Sequence, residues 1–451
     1  LAARGAIVKR LAAVETLGST THIATDKTGT LTLNEMTVQR LLARGRSFRV
    51  TGTGYETDGK ILVGDGLPPP DLTAPLLGMA LCNDAVVRDG VLVGDPTEGA
   101  LVVLAEKGGI DVEGARLAVP RLAEVPFDSA YKYMATFHAL PDGGYRCFAK
   151  GAPGALLDRA TAMLDGDGPV PLDDRRRERL RSAVQSLAAE GLRTLMIAGR
   201  DLHAVPRGDA EALQRAVSDL PLYAVVGIVD PPRTEAERAI EVAHAAGIEV
   251  HMITGDHLVT ASAIAGRLGI GGAAATGADL DALNDDELRS RAADFGVLAR
   301  VAPEHKIRVV KALQANGEVV AMTGDGVNDA PALEQADIGV AMGITGTDVS
   351  KSAADMILTD DNFATIVAAV EEGRGIYANI VKFVKFQLTT AWGFVLIFLV
   401  SGALGLAGGA PFTALQILWV NIIMDGPPAI ALGVDPTEPG TMSRPPRPAH
   451  E

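Results

Sequence analysis

The residues with the clearest chemistry are Thr25-Asp26-Lys27-Thr28-Gly29-Thr30-Leu31-Thr32. Thr21-His22-Ile23-Ala24 just before them reads as a short buried strand, so Asp26 stands where that strand runs out into a glycine-containing loop. Open α/β sheets bind ligands at this place, off the carboxyl ends of their strands. Backbone N–H groups of such a loop can form an anion-binding nest, and a carboxylate facing it can attack phosphorus. Thr28, two residues on, cannot serve as a general acid; an Asp there would speed turnover, whereas Thr leaves an aspartyl-phosphate longer-lived. An Asx-turn accounts for an isolated Asp after a strand, but not for this octapeptide.

Two further strands end in the same way. Ile248-Glu249-Val250-His251-Met252-Ile253 runs into Thr254-Gly255-Asp256, and Val319-Val320-Ala321-Met322 into Thr323-Gly324-Asp325-Gly326-Val327-Asn328-Asp329. By the switch-point rule the three loops should converge on one edge of the sheet. Mg²⁺ takes hard oxygen ligands in octahedral geometry, and Asp26, the backbone carbonyl of Thr28 and Asp325 can supply three. Gathering these carboxylates is costly without cations, which the metal and Lys306 would provide. Lys306 would also stabilise charge on a transferring phosphoryl group, with Thr254, the N–H of Gly255 and Asn328 holding its oxygens. Asn328-Asp329-Ala330-Pro331 also reads as a helix start, Asp as cap and Pro in the first turn.

The elements that must position these groups are arranged in a chain of 451 residues, long enough for roughly two to four domains. A net charge of −15 argues against a nucleic-acid groove as the main function. Cys82 and Cys147 are too few for a disulfide framework and lack metal-site spacing, which fits a reducing compartment. The chain opens Leu-Ala-Ala-Arg without Met or a signal-peptide pattern, as a piece of something longer would. Residues 1–17 carry apolar positions at helical spacing and read as a connecting helix. The βαβ rhythm of the second half predicts a doubly wound α/β domain, made of residues 1–44 and 221–366. Residues 45–220, with their own strands, helices and apolar positions, form an inserted α+β domain. Asp230-Pro231-Pro232-Arg233 is a hinge candidate after the strand that resumes at Leu222.

Beyond Asp361 the composition shifts. Residues 388–406 are uncharged and mostly apolar, long enough to span a bilayer, with Lys382 and Lys385 at their start as at a cytoplasmic end. A second apolar stretch follows the break at Gly408-Gly409-Ala410-Pro411. We expect a stalk at 367–386, membrane helices at 387–407 and 413–434, and a Pro-rich tail at 435–451. Two crossings put the catalytic domains and both chain ends on the cytosolic side. Asn421 and Asp425 are four residues apart and share one helical face. A mid-membrane carboxylate costs about 2.5–3.5 kcal/mol on insertion scales and by default marks a functional site. Gly426-Pro427-Pro428 should interrupt that helix and free carbonyls for an ion.

Asp-Lys-Thr-Gly-Thr, Thr-Gly-Asp and Thr-Gly-Asp-Gly-Val-Asn-Asp-Ala-Pro-Ala-Leu, in this order, resemble the motifs of the P-type ATPases, and the resemblance covers almost the whole chain. It implies a haloacid-dehalogenase-like phosphorylation domain, an inserted nucleotide-binding domain and ATP-driven cation transport through an aspartyl-phosphate. Asp26 would be the acceptor and Asp325 a Mg²⁺ ligand. Lys27, Thr28, Thr254, Gly255, Asp256, Lys306, Asn328 and Asp329 complete the catalytic set, with Arg300 and Asp256 also on the nucleotide side. In the insert, Glu98 of Gly94-Asp95-Pro96-Thr97-Glu98 is similar to the family's adenine-side acid. Phe127 matches the aromatic that stacks on adenine, Lys132, Lys150 and Gly151 the pocket lining, and Arg193 the arginine reaching the phosphates. Read alone, Phe127 is a core residue and the charged groups are solvated surface. Ser129 departs from the family, which often has Arg there.

Trp419-Val420-Asn421 with Met424-Asp425-Gly426-Pro427-Pro428 resembles the sixth membrane helix of calcium pumps, closest to the secretory-pathway calcium/manganese type. The expected cargo is Ca²⁺, with Mn²⁺ as a second candidate. The fifth-helix positions that would serve a second ion are Ala391 and Phe394, which carry no side-chain oxygen. The implied partners are the bilayer, the transported cation, and an actuator domain and further helices outside this sequence. The rival readings are a soluble phosphatase or phosphotransferase of the same fold, and a nucleotide-binding piece without turnover.

Overall fold

His22–Asp26 is buried from His22 to Thr25, as a strand covered on both faces requires, and only Asp26 at its end is partly open. It pairs in parallel with Glu249–Thr254 on one side and Val320–Gly324 on the other. The three loops predicted to converge therefore leave adjacent strands at the same edge. In this computed structural model, which describes residues 2–64, 70–166, 168–205 and 210–447, the sheet has eight strands. Their order is Ala6–Val8, Met356–Leu358, Ile338–Met342, Val320–Gly324, His22–Asp26, Glu249–Thr254, Phe295–Ala299, Ala273–Thr276. All neighbours pair in parallel except the first two. Ala24, Ile253, Leu298 and Met322 from the sheet pack with Val309, Val310 and Leu313 of the helix Pro303–Ala315. This α/β architecture is the expected fold class.

The chain divides into two units: Leu1–Leu31, Thr234–Gly255 and Leu268–Glu451 form the first, and Thr32–Arg233 with Asp256–Arg267 the second. The crossings fall at Leu31/Thr32 and Arg233/Thr234, not at 44/45 and 220/221. The cause is one ladder: Thr37–Ala43 and Leu220–Val229 pair antiparallel with each other, so both belong to the second unit's sheet. The passages into that unit are tied together where they enter, Thr32 Oγ1 to the Asp230 carboxylate and Leu33 N–H to the Pro231 carbonyl. The helix Leu258–Arg267 also falls with the second unit, where Arg267 donates to the Glu190 carbonyl at 3.3 Å.

The second sheet has ten strands. Eight run antiparallel in the order Ile61–Val63, Arg46–Val50, Thr37–Ala43, Leu220–Val229, Arg193–Leu202, Tyr145–Gly151, Tyr133–Ala139, Arg121–Asp128. Met134, Phe148, Ile197 and Val226 from it share one core with Leu76, Met79, Leu101 and Leu104 from the helices Thr73–Leu81 and Pro96–Lys107.

At the amino end, the expected helix forms only over Leu11–Leu17; Ala6–Val8 is a strand that closes the sheet edge against Met356–Leu358. Gly5, at φ +86°, makes the turn that sets it off. At the other end, stalk and first span are one helix, Phe363–Leu404, 42 residues long. It and Ala414–Gly433 are long and apolar enough to cross a membrane, and no part of either apolar window is covered by the rest of the chain. A buried core helix would be covered. Gly426-Pro427-Pro428 does not interrupt the second span. Asn421–Asp425 widens into a π turn and Gly426–Gly433 continues helical, so the missing proline N–H groups are absorbed by a local change of pitch.

Candidate active site

Three carboxylates meet at the carboxyl edge of the central strand: oxygens of Asp26, Asp325 and Asp329 lie within 4.8 Å of one another. Lys306, in the first turn of Pro303–Ala315, brings its Nζ 3.1 Å from Asp26 and 2.7 Å from Asp329. Burial works against this ammonium, but Asp26 and Asp329 outweigh it and hold its pKa above the ordinary lysine value. Among the described residues Asp325 has no such ion pair. Burial first, and then the charges of Asp26 and Asp329, push its pKa above the usual carboxylate range.

The backbone is held as closely as the charges. Asp26 N–H donates to Thr323 Oγ1 at 2.9 Å, and that hydroxyl donates to Thr25 Oγ1 at 3.1 Å. Thr323 was legible as part of a strand end, but its role in joining the two acid-bearing strands was not. Asp329 stands at the cap position expected of it, but its side chain does not do a cap's work. It makes no side-chain cap bond to the helix Ala330–Gln335. Its carboxylate turns back instead to the N–H groups of Asp325 at 3.3 Å and Gly326 at 3.0 Å, and to Lys306. A buried ammonium is the stronger attraction. Pro331 does lie in the first turn.

After Asp26 the loop Lys27–Leu31 keeps an extended Thr28 and a left-handed Gly29 at φ +75°. Lys27 is buried and Thr28 exposed. Thr254 is buried at its strand end, and Gly255 and Asn328 are exposed. Arg300 is exposed, with its backbone at φ +50°. The donors at Asp26, Asp325 and Asp329 are all hard oxygens, with one acid held reluctant to ionise. They fit a hard divalent cation.

In the second unit, Asp95 caps Pro96–Lys107 by accepting from the N–H groups of Thr97 and Glu98, which places Glu98 in the first turn. Its carboxylate accepts from the N–H groups of Asp84 at 2.9 Å and Ala85 at 3.2 Å and pairs with the buried Lys150. Lys150 sits opposite Met134 and Gly151 opposite Tyr133, so Lys132 adjoins them. Ala152 N–H donates to the Lys132 carbonyl at 2.9 Å. A Cβ on Gly151 would stand 2.6 Å from that carbonyl oxygen, so only glycine fits. Lys132 is exposed and left-handed, at φ +57°. Phe127 is not core: it is 63% exposed. Arg193 Nη1 lies 3.5 Å from Thr97 Oγ1. Asn421 is exposed, and the side chain of Asp425 lies outside the described residues.

Residues 307–370, within the first unit, match the haloacid dehalogenase-like hydrolase family. Residues 71–235 match the P-type ATPase cytoplasmic domain N, and 409–451 the cation-transporting ATPase C-terminus. The chain is 44% identical to the calcium-transporting ATPase of Bacillus subtilis, over 98% of this chain and 50% of that protein. It is 46% identical to the probable cation-transporting ATPase F of Mycobacterium tuberculosis, over 99% and 50%. To the human calcium-transporting ATPase type 2C member 1 it is 44% identical, over 98% and 47%. The chain thus carries domains of the P-type cation ATPases and spans about half the length of these relatives.

Proposed function

We propose that this chain carries the catalytic half of an ATP-driven pump for Ca²⁺, with Mn²⁺ as a second cargo, and that Asp26 is phosphorylated in each cycle. The supporting observation is the placement of Asp26 at the end of the central strand, 3.1 Å from Lys306 and beside Asp325. An Asp26 carboxylate oxygen attacks the γ-phosphorus of ATP in line, the bond to the β-bridging oxygen breaks, and ADP leaves. Mg²⁺, held by Asp26, Asp325 and the Thr28 carbonyl, would neutralise charge on the phosphoryl oxygens. Lys306 keeps a positive charge at the same place, while Thr254, the Gly255 N–H and Asn328 bind the oxygens. Lys27, Asp256 and Asp329 shape the loops around them. Exposed Thr28 offers no acid for fast hydrolysis. In the second unit Phe127 stacks on adenine beside Glu98, Lys132, Lys150 and Gly151, with Arg193 toward the phosphates; in the first unit Arg300 serves the nucleotide.

Asn421, Asp425 and carbonyls near Pro427 form part of the ion site. A hard divalent cation needs about six or more oxygens. Neither Ala391 nor Phe394 supplies one, and the Phe394 ring packs on Phe412, centroids 6.1 Å apart. One ion per cycle is therefore expected, with the domains and both chain ends cytosolic and the remaining helices and actuator supplied from outside this sequence. Two of the relatives above are named for calcium transport. Equilibrium ⁴⁵Ca binding on the complete pump should give one ion per phosphorylation site, and Asp425→Asn should lose Ca²⁺-dependent phosphorylation. Two ions per site would refute the stoichiometry. Turnover without any ion dependence would favour a phosphatase of the same fold.

A further inference from the structure

We propose that Asp361 is a positioning residue for Asp325, acting through the loop of residues 343–347; this rests on the reading of Asp325 as a metal ligand. Asp361 is 2% exposed and sits between the strand Met356–Leu358 and Asn362, the cap of Phe363–Leu404. Its backbone is left-handed, at φ +51°, a conformation few non-glycine residues adopt. Oδ1 accepts from the N–H groups of Gly343 at 2.6 Å and Ile344 at 3.0 Å. Oδ2 accepts from the N–H of Thr345 at 2.8 Å and its hydroxyl at 2.9 Å. One carboxylate thus clamps three successive amides.

The far end of that loop holds Asp325. Thr347 N–H donates to the Asp325 carbonyl at 2.8 Å, and Ser350 Oγ donates to the same oxygen at 2.9 Å. The Asp325 N–H meets the Asp329 carboxylate. Both sides of the peptide carrying the proposed ligand are therefore fixed from outside its own strand. The loop between has no slack. A Cβ on Gly343 would stand 2.3 Å from the Leu358 carbonyl oxygen, and one on Gly346 2.0 Å from that of Met342. A shift at residues 343–345 is passed on to Thr347 rather than absorbed.

A carboxylate is needed here because Asn offers one acceptor oxygen and would turn an NH₂ toward the Thr345 N–H. Neighbouring Asp360 has the same charge, but spends it on the Asn362 N–H at 3.1 Å and the Thr365 hydroxyl at 2.6 Å. Outer groups that orient a metal ligand typically change affinity 10- to 100-fold when lost.

The test is Mn²⁺ binding to this chain, followed by loss of the free-ion EPR signal, with circular dichroism on each variant. Asp325→Asn should remove a class of bound Mn²⁺. Asp361→Asn should weaken that class about tenfold, Ser350→Ala should weaken it in the same direction, and Asp360→Asn should leave it unchanged. If Asp361→Asn does not fold, Ser350→Ala decides. Wild-type affinity in a folded Asp361→Asn, with binding lost in Asp325→Asn, overturns the positioning role. Binding intact in Asp325→Asn overturns the ligand reading beneath it, and the proposal with it.

Discussion

The carboxylate cluster of the first unit and the Glu98–Lys150 pair of the second both carry a buried lysine paired with acid, yet they solve different problems. Lys306 is shared between Asp26 and Asp329, while Asp325 stays above its normal range and, among the described residues, makes no ion pair of its own. Three carboxylates there face one ammonium. Among the described residues Lys150 meets a single acid, Glu98, which already has two backbone donors, and Phe127 of the same unit is exposed. Here one acid meets one base, and the Phe127 ring is exposed. The first arrangement suits a reaction in which negative charge develops, the second suits holding a flat ligand.

The largest test of that contrast replaces each lysine by Met. Removing Lys306 leaves two carboxylates facing each other without a cation, and breaking a buried pair in this way costs about 3–5 kcal/mol. Removing Lys150 leaves Glu98 with its two N–H donors, so the loss should be nearer that of one charged hydrogen bond, about 1.5–3 kcal/mol. Hydrogen exchange read on core amides of each unit measures both, and equal losses would break the contrast.

Acid is where the two units should behave alike. Burial holds His251 in the first and His138 in the second down to about 4 from 6.5. The unfolded chain binds a proton near pH 6.5 that each folded imidazole refuses until about pH 4. Stability is therefore intact above 6.5 and falls as pH drops through that window, by about 3 kcal/mol per imidazole. His251→Phe and His138→Phe should each flatten the pH dependence of their own unit. A dependence unchanged in either variant would locate the acid sensitivity elsewhere.

Phe127→Ala sharpens the contrast most gently. An exposed ring contributes little to folding, so stability should change by no more than about 0.5 kcal/mol. ATP affinity should fall by about 1–3 kcal/mol, as for other base–aromatic stacks. Unchanged affinity in an NMR titration would remove Phe127 from the pocket.

Asp26 and Asp325 were legible in the sequence because strand-end acids in a βαβ chain have few places to go. The unit boundaries were not. Thr37–Ala43 and Leu220–Val229 are apolar strands, and an apolar run does not say which sheet it joins. Ala6–Val8 hid within helical spacing because three residues are too few for a period to show. The prolines after Gly426 announced lost N–H groups but not that a π turn would accommodate them. Asp361 was invisible because its partners are mostly backbone amides, which no side-chain pattern records. The Glu98–Lys150 pair joins residues 52 positions apart, and only the fold reveals it.

Phosphorylation of Asp26 is tested most directly by incubating the complete pump with γ-labelled ATP and Mg²⁺, quenching in acid and mapping the labelled peptide. The expected result is an acid-stable, hydroxylamine-labile label on the peptide containing Asp26, absent in Asp26→Asn. Label persisting in Asp26→Asn, or mapping to another residue, would contradict it.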